Sequence, residues 1–311
     1  MERVLFIVGP TASGKTEVSL ALAAALDAEI ISADSMQVYQ GLDIGTAKVD
    51  HSRYLDIPHH MLDIISPAQE FSVYSFREQA LKLIKQIHER GRMPIIVGGS
   101  GLYIKALTDG IADHPGCDES VRARFKQAIA ADGLSSLHER LTAVDPETAA
   151  QINPNDQRRI IRALEIFELS GITPSAWRQK TVSLNTLGYD FLMLGIMRDR
   201  KELYARVEQR VDAMIAHGLL DEVRALDKAT LSKTPRQAVG YKELIAHLNG
   251  EYSLDKAVEL MKQNTRHLVK KQLTWFKKEK RIQWITVRDG DELGSVCDSL
   301  LKIVQQWIKD D

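Results

Sequence analysis

Apolar and polar residues alternate along the first third of the chain in a way that predicts strands and helices in turn. Val4 to Val8 is an uninterrupted apolar run, short enough for one buried strand. Glu17 to Leu26 then has apolar residues at helical spacing, and Glu29 to Asp34 is predicted to be a second strand that ends on a carboxylate. Strands and helices in alternation indicate a parallel sheet flanked by helices.

The alternation continues beyond the second strand. Ser75 to Arg90 predicts an amphipathic helix, and Pro94 to Val97 predicts a buried strand that leads into Gly98-Gly99-Ser100-Gly101. In an open parallel sheet the ligand cleft lies outside the carboxyl ends of the strands. We therefore expect Asp34 and Ser100, which each follow a strand, to lie around one cleft.

A glycine-rich loop joins the first strand to the first helix, and its residues are Gly9, Pro10, Thr11, Ala12, Ser13, Gly14, Lys15 and Thr16. The spacing GxxxxGK followed by Ser or Thr lets successive backbone N–H groups and a helix N-terminus converge on a phosphate oxygen. Lys15 adds a cation, and the Thr16 hydroxyl is placed to bind Mg²⁺ on a diphosphate or triphosphate. The loop alone does not distinguish a kinase from a transferase that releases pyrophosphate.

The pattern changes from about residue 111. Ser120 to Leu169 predicts several short helices, with turn signals at Asp132-Gly133, Asp145-Pro146 and Asn153-Pro154-Asn155. We interpret this region as a helical insertion and predict a catalytic core of residues 1–112 and 191–311 around an insertion of residues 113–190. The predicted fold class is α/β, a P-loop NTPase-like parallel sheet flanked by helices, with an all-helical insertion domain.

The second part of the core repeats the earlier pattern. Phe191 to Ile196 predicts a core strand, and Arg200 to His217 predicts a helix whose apolar residues lie on one side. Leu254 to Lys280 predicts a long helix, and Arg281 to Val287 a last strand. Arg206 and Arg210, four residues apart, share a helix face, where they are either surface charges or part of a site.

Charge is unevenly distributed in a chain whose net charge is −1. Lys262 to Arg281 contains eight Lys or Arg residues and one acid, Glu279, and Arg158-Arg159-Ile160-Ile161-Arg162 places three arginines within five residues. Such local excess of positive charge favours a phosphate-rich partner. A solvated helix face is the alternative for both segments.

The remaining composition is that of a globular protein, with 44% hydrophobic and 27% charged residues. Cys117 and Cys297 lie far apart without a metal-binding spacing, which fits a reducing compartment. No apolar run approaches the ~20 residues of a membrane span, and the five-residue run before the glycine loop does not resemble a signal peptide. We expect a cytoplasmic protein with no membrane partner.

Ser32 to Lys48 (SADSMQVYQGLDIGTAK) closely resembles the tRNA dimethylallyltransferase family of bacterial type, in which DSxQVYxGLDIGTAK follows GPTASGKT. Three further blocks resemble the same family: Val97 to Tyr103 (VGGSGLY), Asn153 to Glu165 (NPNDQRRIIRALE) and Thr265 to Trp275 (TRHLVKKQLTW). The resemblance implies transfer of a dimethylallyl group from dimethylallyl diphosphate to N6 of the adenosine 3′ of the anticodon, at position 37. The implied acceptors are tRNAs that read codons beginning with U.

The resemblance also implies residue roles. Asp34 matches the general base, Arg210 aligns with an arginine that faces the diphosphate, and Ser100 stands where the family usually has threonine. The glycine loop is then the diphosphate site, with Mg²⁺ on Thr16. The positions that match the family's contacts with the tRNA anticodon stem-loop are Asp34, Ser35, Met36, Gln37, Ser100, Arg122, Arg158, Arg159 and Arg162.

Two rival functions share some of these features. An adenylate isopentenyltransferase uses the same donor but modifies free AMP, ADP or ATP, and it needs no extended basic surface. An NTP-dependent RNA-binding switch would hold ATP on the loop without alkyl transfer. Some eukaryotic family members have a C-terminal zinc-finger extension; we expect a bacterial-type enzyme without one, and a monomer, because one protein encloses one anticodon loop.

Overall fold

A computed structural model describes residues 1–49, 57–226 and 230–310 of the chain. The chain divides into two compact units, a core unit of residues 1–108 and 184–311 and a helical unit of residues 109–183. Both limits fall a few residues before the boundaries predicted at 112 and 190. Leu184 already belongs to the apolar interior of the core unit, since it is fully buried there.

The core unit contains a parallel sheet in the order β3-β2-β4-β1-β5-β6. Within the described residues its strands are β1 (Glu2–Val8), β2 (Ala28–Ser32), β3 (His59–His60), β4 (Met93–Gly98), β5 (Tyr189–Met197) and β6 (Ile282–Thr286). The predicted α/β class is confirmed. The second strand is shorter than predicted, because it ends at Ser32 and the chain turns at Asp34, whose carboxylate accepts a hydrogen bond from the Met36 N–H.

Helices flank the sheet and build the second unit. In the described parts of the chain they are α1 (Lys15–Leu26), α2 (Val73–Glu89), α3 (Gly101–Asp109), α4 (Glu119–Val144), α5 (Pro146–Gln151), α6 (Gln157–Ser170), α7 (Pro174–Gln179), α8 (Arg200–Ala216), α9 (Leu219–Ala225), α10 (Lys233–Arg236), α11 (Tyr241–Leu248), α12 (Leu254–Phe276) and α13 (Leu293–Lys309). None of these described helices has both the length and the apolar character that a membrane span requires.

The sheet is covered on both faces, and β1 lies in the middle of it. Val4, Phe6 and Val8 pack into one apolar cluster, with residues of α2 and α3, while Leu5 and Ile7 pack into another, with residues of α1 and α13. Successive strand side chains point to opposite faces, so a strand that is buried on both sides is apolar at every position. This explains the uninterrupted apolar run in the sequence.

Two predicted helical segments differ from the structure. The helix predicted to reach Lys280 ends at Phe276, because the fully buried Phe276 ring anchors its end in the core before the chain turns into β6. In the helical unit, α4 spans 26 residues rather than forming separate short helices. The turn predicted at Asp132-Gly133 is present as a local break, in which Gly133 has φ 80° and ψ 166°.

A buried carboxylate connects β2 to its neighbours. The Glu29 side chain is only 2% exposed and accepts hydrogen bonds from Arg90 at 2.8 and 2.6 Å and from His60 at 2.7 Å. The hydrogen bonds from Arg90 outweigh the opposing effect of burial and lower the pKa of Glu29 to about 2. A pKa this far below that of the unfolded chain means that the charged carboxylate stabilises the fold.

Replacing Glu29 by Gln should lower the free energy of unfolding at pH 7 by about 2 to 4 kcal/mol, since the carboxyl pKa falls from 4.5 to about 2 on folding and one pKa unit corresponds to about 1.4 kcal/mol. The stabilisation is present above the unfolded pKa of about 4.5 and is lost as pH falls toward 2. Urea denaturation at several pH values should therefore show the wild type and Glu29→Gln converging with acidification. Glu89→Gln is the control, because the Glu89 side chain on α2 is exposed, and it should have little effect on the free energy of unfolding at any pH.

Candidate active site

The glycine-rich loop follows β1 and ends where α1 begins. Gly9 has φ +147°, and a Cβ there would lie 2.6 Å from the Ile196 carbonyl oxygen of β5, so only glycine fits. Gly14 has φ +96° immediately before the first residue of α1, Lys15. These two glycines let the backbone wrap around the helix N-terminus, which is the arrangement that binds phosphate in such loops.

Two cations face this loop. The Lys15 ammonium donates a 2.6 Å hydrogen bond to the Pro10 carbonyl oxygen. Burial and the repulsion of nearby Arg210 lower the pKa of Lys15 to about 8, although Asp34 and Glu17 oppose this effect. Burial likewise lowers the pKa of Arg210, and across the described residues the Arg210 guanidinium has no hydrogen bond or ion pair. The site therefore holds positive charge that an anion would stabilise.

Asp34 lies beside these cations, just after β2. The ends of β2 and β4 are in close contact, since the Ala33 N–H donates to the Val97 carbonyl oxygen at 2.7 Å. A Cβ on Gly98 would lie 2.2 Å from the Ala33 carbonyl oxygen, so glycine is required there. The Met36 N–H holds one oxygen of the Asp34 carboxylate at 2.8 Å, and among the described residues no hydrogen bond to the other oxygen is found.

Ser100 and Ser35, which the sequence places 65 positions apart, are in contact. The Ser100 hydroxyl oxygen accepts a 3.1 Å hydrogen bond from the Ser35 N–H. The Ser100 hydroxyl is therefore engaged with the segment that follows Asp34. The expected grouping of Asp34 and Ser100 around one cleft is confirmed.

Two adjoining cavities meet at Asp34 and Arg210. The first, of about 410 Å³, is lined by the loop and by Lys15, Thr16, Asp34, Gln37, Arg206, Arg210 and Gln272, among others. The second, of about 340 Å³, shares Asp34, Arg210 and Gln272 and adds Ser35, Met36, Ser100, Gln237 and Leu268. One cavity is thus suited to a phosphate group and the other to a second substrate, with a carboxylate where they join.

Two arginine side chains, one of which the sequence did not single out, hydrogen-bond to the backbone of the loop. The Arg206 guanidinium donates to the Ala12 carbonyl oxygen at 2.9 Å, and Arg198 donates to the Ser13 carbonyl oxygen at 3.1 Å. The interpretation of Arg206 and Arg210 as surface charges is wrong, since both line the first cavity. Arg206 holds the loop in place, while Arg210 lines the cavity with no hydrogen bond or ion pair among the described residues.

Residues 43–47 form a further wall of the site, and Glu222 of α9 binds the backbone of this segment. The Glu222 carboxylate accepts hydrogen bonds from the N–H groups of Asp43, Ile44 and Gly45 at 2.9, 2.7 and 3.2 Å, and from the Tyr241 hydroxyl at 2.6 Å. Burial, together with this hydrogen bond to Glu222, raises the pKa of Tyr241. Nothing in the local sequence indicated that Glu222 is the partner of this wall, because the two are separated by 178 positions.

The amide of Gln37, a predicted tRNA contact, is engaged within the protein. It donates to the Thr46 carbonyl oxygen at 3.2 Å and accepts from the Ser32 hydroxyl at 2.8 Å. Gln37 therefore joins β2 to the wall of residues 43–47. Its contact with RNA stays a prediction.

The predicted RNA-binding arginines of the helical unit differ in their surroundings. Arg122 and Arg162 both bind the buried Glu165, at 2.9 and 2.6 Å, and so stabilise this unit internally. Arg158 is exposed, and the side chain of Arg159 is 71% exposed. The RNA contacts of all four arginines stay predictions, and the exposed pair has the greater freedom to reach a phosphate.

Comparison with known proteins assigns the chain to a family. An IPP transferase family model matches residues 37–279. A tRNA dimethylallyltransferase from Geobacter metallireducens is 47% identical over 304 residues, which cover 97% of this chain and 96% of the relative. One from Geobacillus thermodenitrificans is 44% identical over 306 residues, with 97% and 96% coverage. The chain belongs to the tRNA dimethylallyltransferase family. The resemblance to its bacterial type is confirmed.

Solved structures of tRNA dimethylallyltransferases agree in fold. The full-length tRNA isopentenylpyrophosphate transferase from Bacillus halodurans has a TM-score of 0.72 and 39% identity, covering 98% of this chain and 96% of that one. A eukaryotic dimethylallyltransferase studied while acting on tRNA has a TM-score of 0.75 and 27% identity, covering 93% and 75%. The comparisons give no support to an adenylate isopentenyltransferase acting on free nucleotides.

In this tRNA dimethylallyltransferase family member, substitution of Glu222 tests whether its hydrogen bonds stabilise the segment of residues 43–47. We expect Glu222→Gln to lower the free energy of unfolding by about 1 to 3 kcal/mol, because several half-buried donors lose a charged acceptor. The measurement is urea denaturation at neutral pH. Asp221→Asn is the matched control, since this neighbouring side chain is 77% exposed and pairs only with Arg224 among the described residues. Equal stability of the two variants would contradict the prediction.

Proposed function

We propose that this chain transfers the dimethylallyl group of dimethylallyl diphosphate to N6 of the adenosine at position 37, 3′ of the anticodon, in tRNAs that read UNN codons. The observation that carries the proposal is Asp34 at the junction of two cavities, beside Lys15 and Arg210, for which the described part of the chain supplies no ion-pair partner. A diphosphate supplies the anion that these cations lack. The names of the relatives support tRNA as the acceptor. The adenosine, its position and its N6 atom follow from the family resemblance.

The reaction is a displacement at C1 of the donor. The adenine N6 attacks C1, the bond between C1 and the diphosphate oxygen breaks, and diphosphate leaves with the electron pair. Lys15, Arg210 and the loop N–H groups stabilise the charge that develops on the leaving group. Asp34, with one oxygen held by the Met36 N–H, accepts the proton that N6 loses.

Mg²⁺ is part of the proposal. In the described ranges no group of three or more His, Cys, Asp or Glu side chains is arranged to hold a metal. Mg²⁺ commonly binds one or two protein oxygens together with substrate phosphates and water, and therefore needs no such group. Thr16 lines the first cavity beside Lys15, and its hydroxyl fits this donor set. When bound, the ion would neutralise charge on the diphosphate.

The surface of α12 favours a large polyanionic acceptor. His267, Lys270, Lys271 and Thr274 are exposed and follow one another at helical spacing without an acid between them. Arg266 and Lys262, about one and two turns before Lys270, are paired with Glu208 and Asp212 of α8. Lys270 and Lys271 have no ion pair among the described residues, which leaves them available to RNA phosphates.

The proposed function is tested by incubating the protein with Mg²⁺, labelled dimethylallyl diphosphate and either unmodified tRNA or AMP. We expect label in tRNA, recovered as N6-isopentenyladenosine after digestion, and none in AMP. Label in AMP would instead identify the free-nucleotide enzyme, and ATP hydrolysis without transfer would identify an RNA-binding switch. We also propose a cytoplasmic monomer, which light scattering on the purified protein checks.

Asp34→Asn should reduce kcat by about 10²- to 10⁴-fold, the usual contribution of a general base. Asparagine keeps the shape and the hydrogen bond from Met36 but does not accept a proton. Binding of diphosphate, measured by calorimetry, should be retained. Asp27→Asn is the control, because its side chain is 81% exposed at the end of α1, and transfer should be unchanged. Full activity of Asp34→Asn would remove this residue from the mechanism.

The basic surface of α12 predicts a salt-dependent effect. Lys270→Gln combined with Lys271→Gln should weaken tRNA binding and reduce the slope of log affinity against log salt by about 1 to 2, because each lost phosphate contact contributes about 1. Lys256→Gln, in the first turn of the same helix and paired with Glu259, is the control. If the double variant kept the wild-type slope of log affinity against log salt, RNA would bind at another surface.

A further inference from the structure

Gln272 of α12 touches two loops that come from distant parts of the chain. Its side-chain oxygen accepts a 2.9 Å hydrogen bond from the Thr11 N–H of the glycine-rich loop. Its side-chain nitrogen donates at 3.1 Å to the Gly99 carbonyl oxygen, directly after β4. One amide therefore spans the loops that follow the neighbouring strands β1 and β4.

The Gln272 side chain lies so close to residue 99 that only glycine fits at that position. A Cβ on Gly99 would lie 2.4 Å from the Gln272 side-chain nitrogen, closer than van der Waals contact allows. Gln272 also lines both cavities of the site, the one that contains Lys15 and the one that contains Ser100. It thus lies at the boundary between the two proposed substrates.

We propose that Gln272 is a positioning residue for the transfer reaction, which sets the separation between the glycine-rich loop and the Gly98-Gly99-Ser100 loop. The inference rests on the proposed function, since it assigns the donor diphosphate to the first loop and the acceptor base to the side of Ser100. Both loops follow strands of one sheet, and the Gln272 amide joins them beyond the ends of those strands.

The physical basis is the sensitivity of a displacement reaction to distance. The attacking N6 and the donor C1 react from a separation of about 3 to 3.5 Å, and a misplacement of about 1 Å costs on the order of 10²-fold in rate. Gln272 extends from the helix that also presents Lys270 and Lys271 on its surface. A tRNA that binds these lysines therefore contacts the same rigid element that ties the two loops together.

The variants Gln272→Leu and Gln272→Asn distinguish two properties of the side chain, its reach across both loops and its polar amide group. Leucine removes both hydrogen bonds, while asparagine keeps the amide but is shorter by one carbon–carbon bond, about 1.5 Å, and does not reach both loops. Gln263→Leu is the matched control, because Gln263 is exposed on the same helix about 13 Å away along its axis.

We expect kcat at saturating dimethylallyl diphosphate and tRNA to fall about 10- to 100-fold in both Gln272 variants and to stay unchanged in Gln263→Leu. The tRNA dissociation constant should change by less than twofold. The Tm of each variant should stay above the assay temperature, so that unfolding does not explain the lower kcat. A wild-type kcat for Gln272→Asn would overturn the spanning role. The spanning role would also be overturned if the decrease in kcat of Gln272→Leu equalled the fraction of that variant that is unfolded.

The wild-type assay separates failure of this inference from failure of the proposed function. If wild-type protein does not transfer label to tRNA, the proposed function fails, and the inference that rests on it fails as well. If wild-type protein transfers label and the Gln272 variants match Gln263→Leu, the function stands and the inference alone is overturned.

Discussion

The position of β1 between β4 and β5 is the constraint on which the rest of the site depends. Burial on both faces requires an apolar residue at every position, and the strand delivers the chain directly into the glycine-rich loop. Because all the paired strands are parallel, the residues after β2 and β4 meet at the same edge of the sheet. Asp34 and Ser100 reach the loop for this reason, although neither is near it in sequence.

The electrostatics of the site follow from that geometry. Lys15 and Arg210 repel one another in partly desolvated positions, and the lowered pKa of each reflects an arrangement that is unfavourable without an anion. Asp34 offsets part of this charge yet keeps one carboxylate oxygen unengaged by described residues. A site that is short of negative charge and presents the Asp34 carboxylate as a proton acceptor is suited to the departure of a diphosphate with concurrent proton removal.

The walls of the cleft are held by side chains that take no proposed part in the chemistry. Glu222 binds three successive N–H groups of residues 43–45, Arg206 binds the glycine-rich loop, and Gln272 joins that loop to Gly99. Each comes from a helix of the second part of the core. The helices α8, α9 and α12 therefore act as a scaffold that fixes the loops of the first part.

The sequence by itself determined the α/β class, the phosphate-binding loop and the family, because these depend on local patterns such as the apolar run of β1 and the GxxxxGK spacing. It also indicated Asp34 as a site residue. Only the tertiary structure decided that Arg206 holds the loop while Arg210 faces the cavity, and that Glu222 and Gln272 brace the cleft. These roles depend on contacts across 173 to 261 positions, which arise from the non-sequential strand order and leave no periodic signal in the chain.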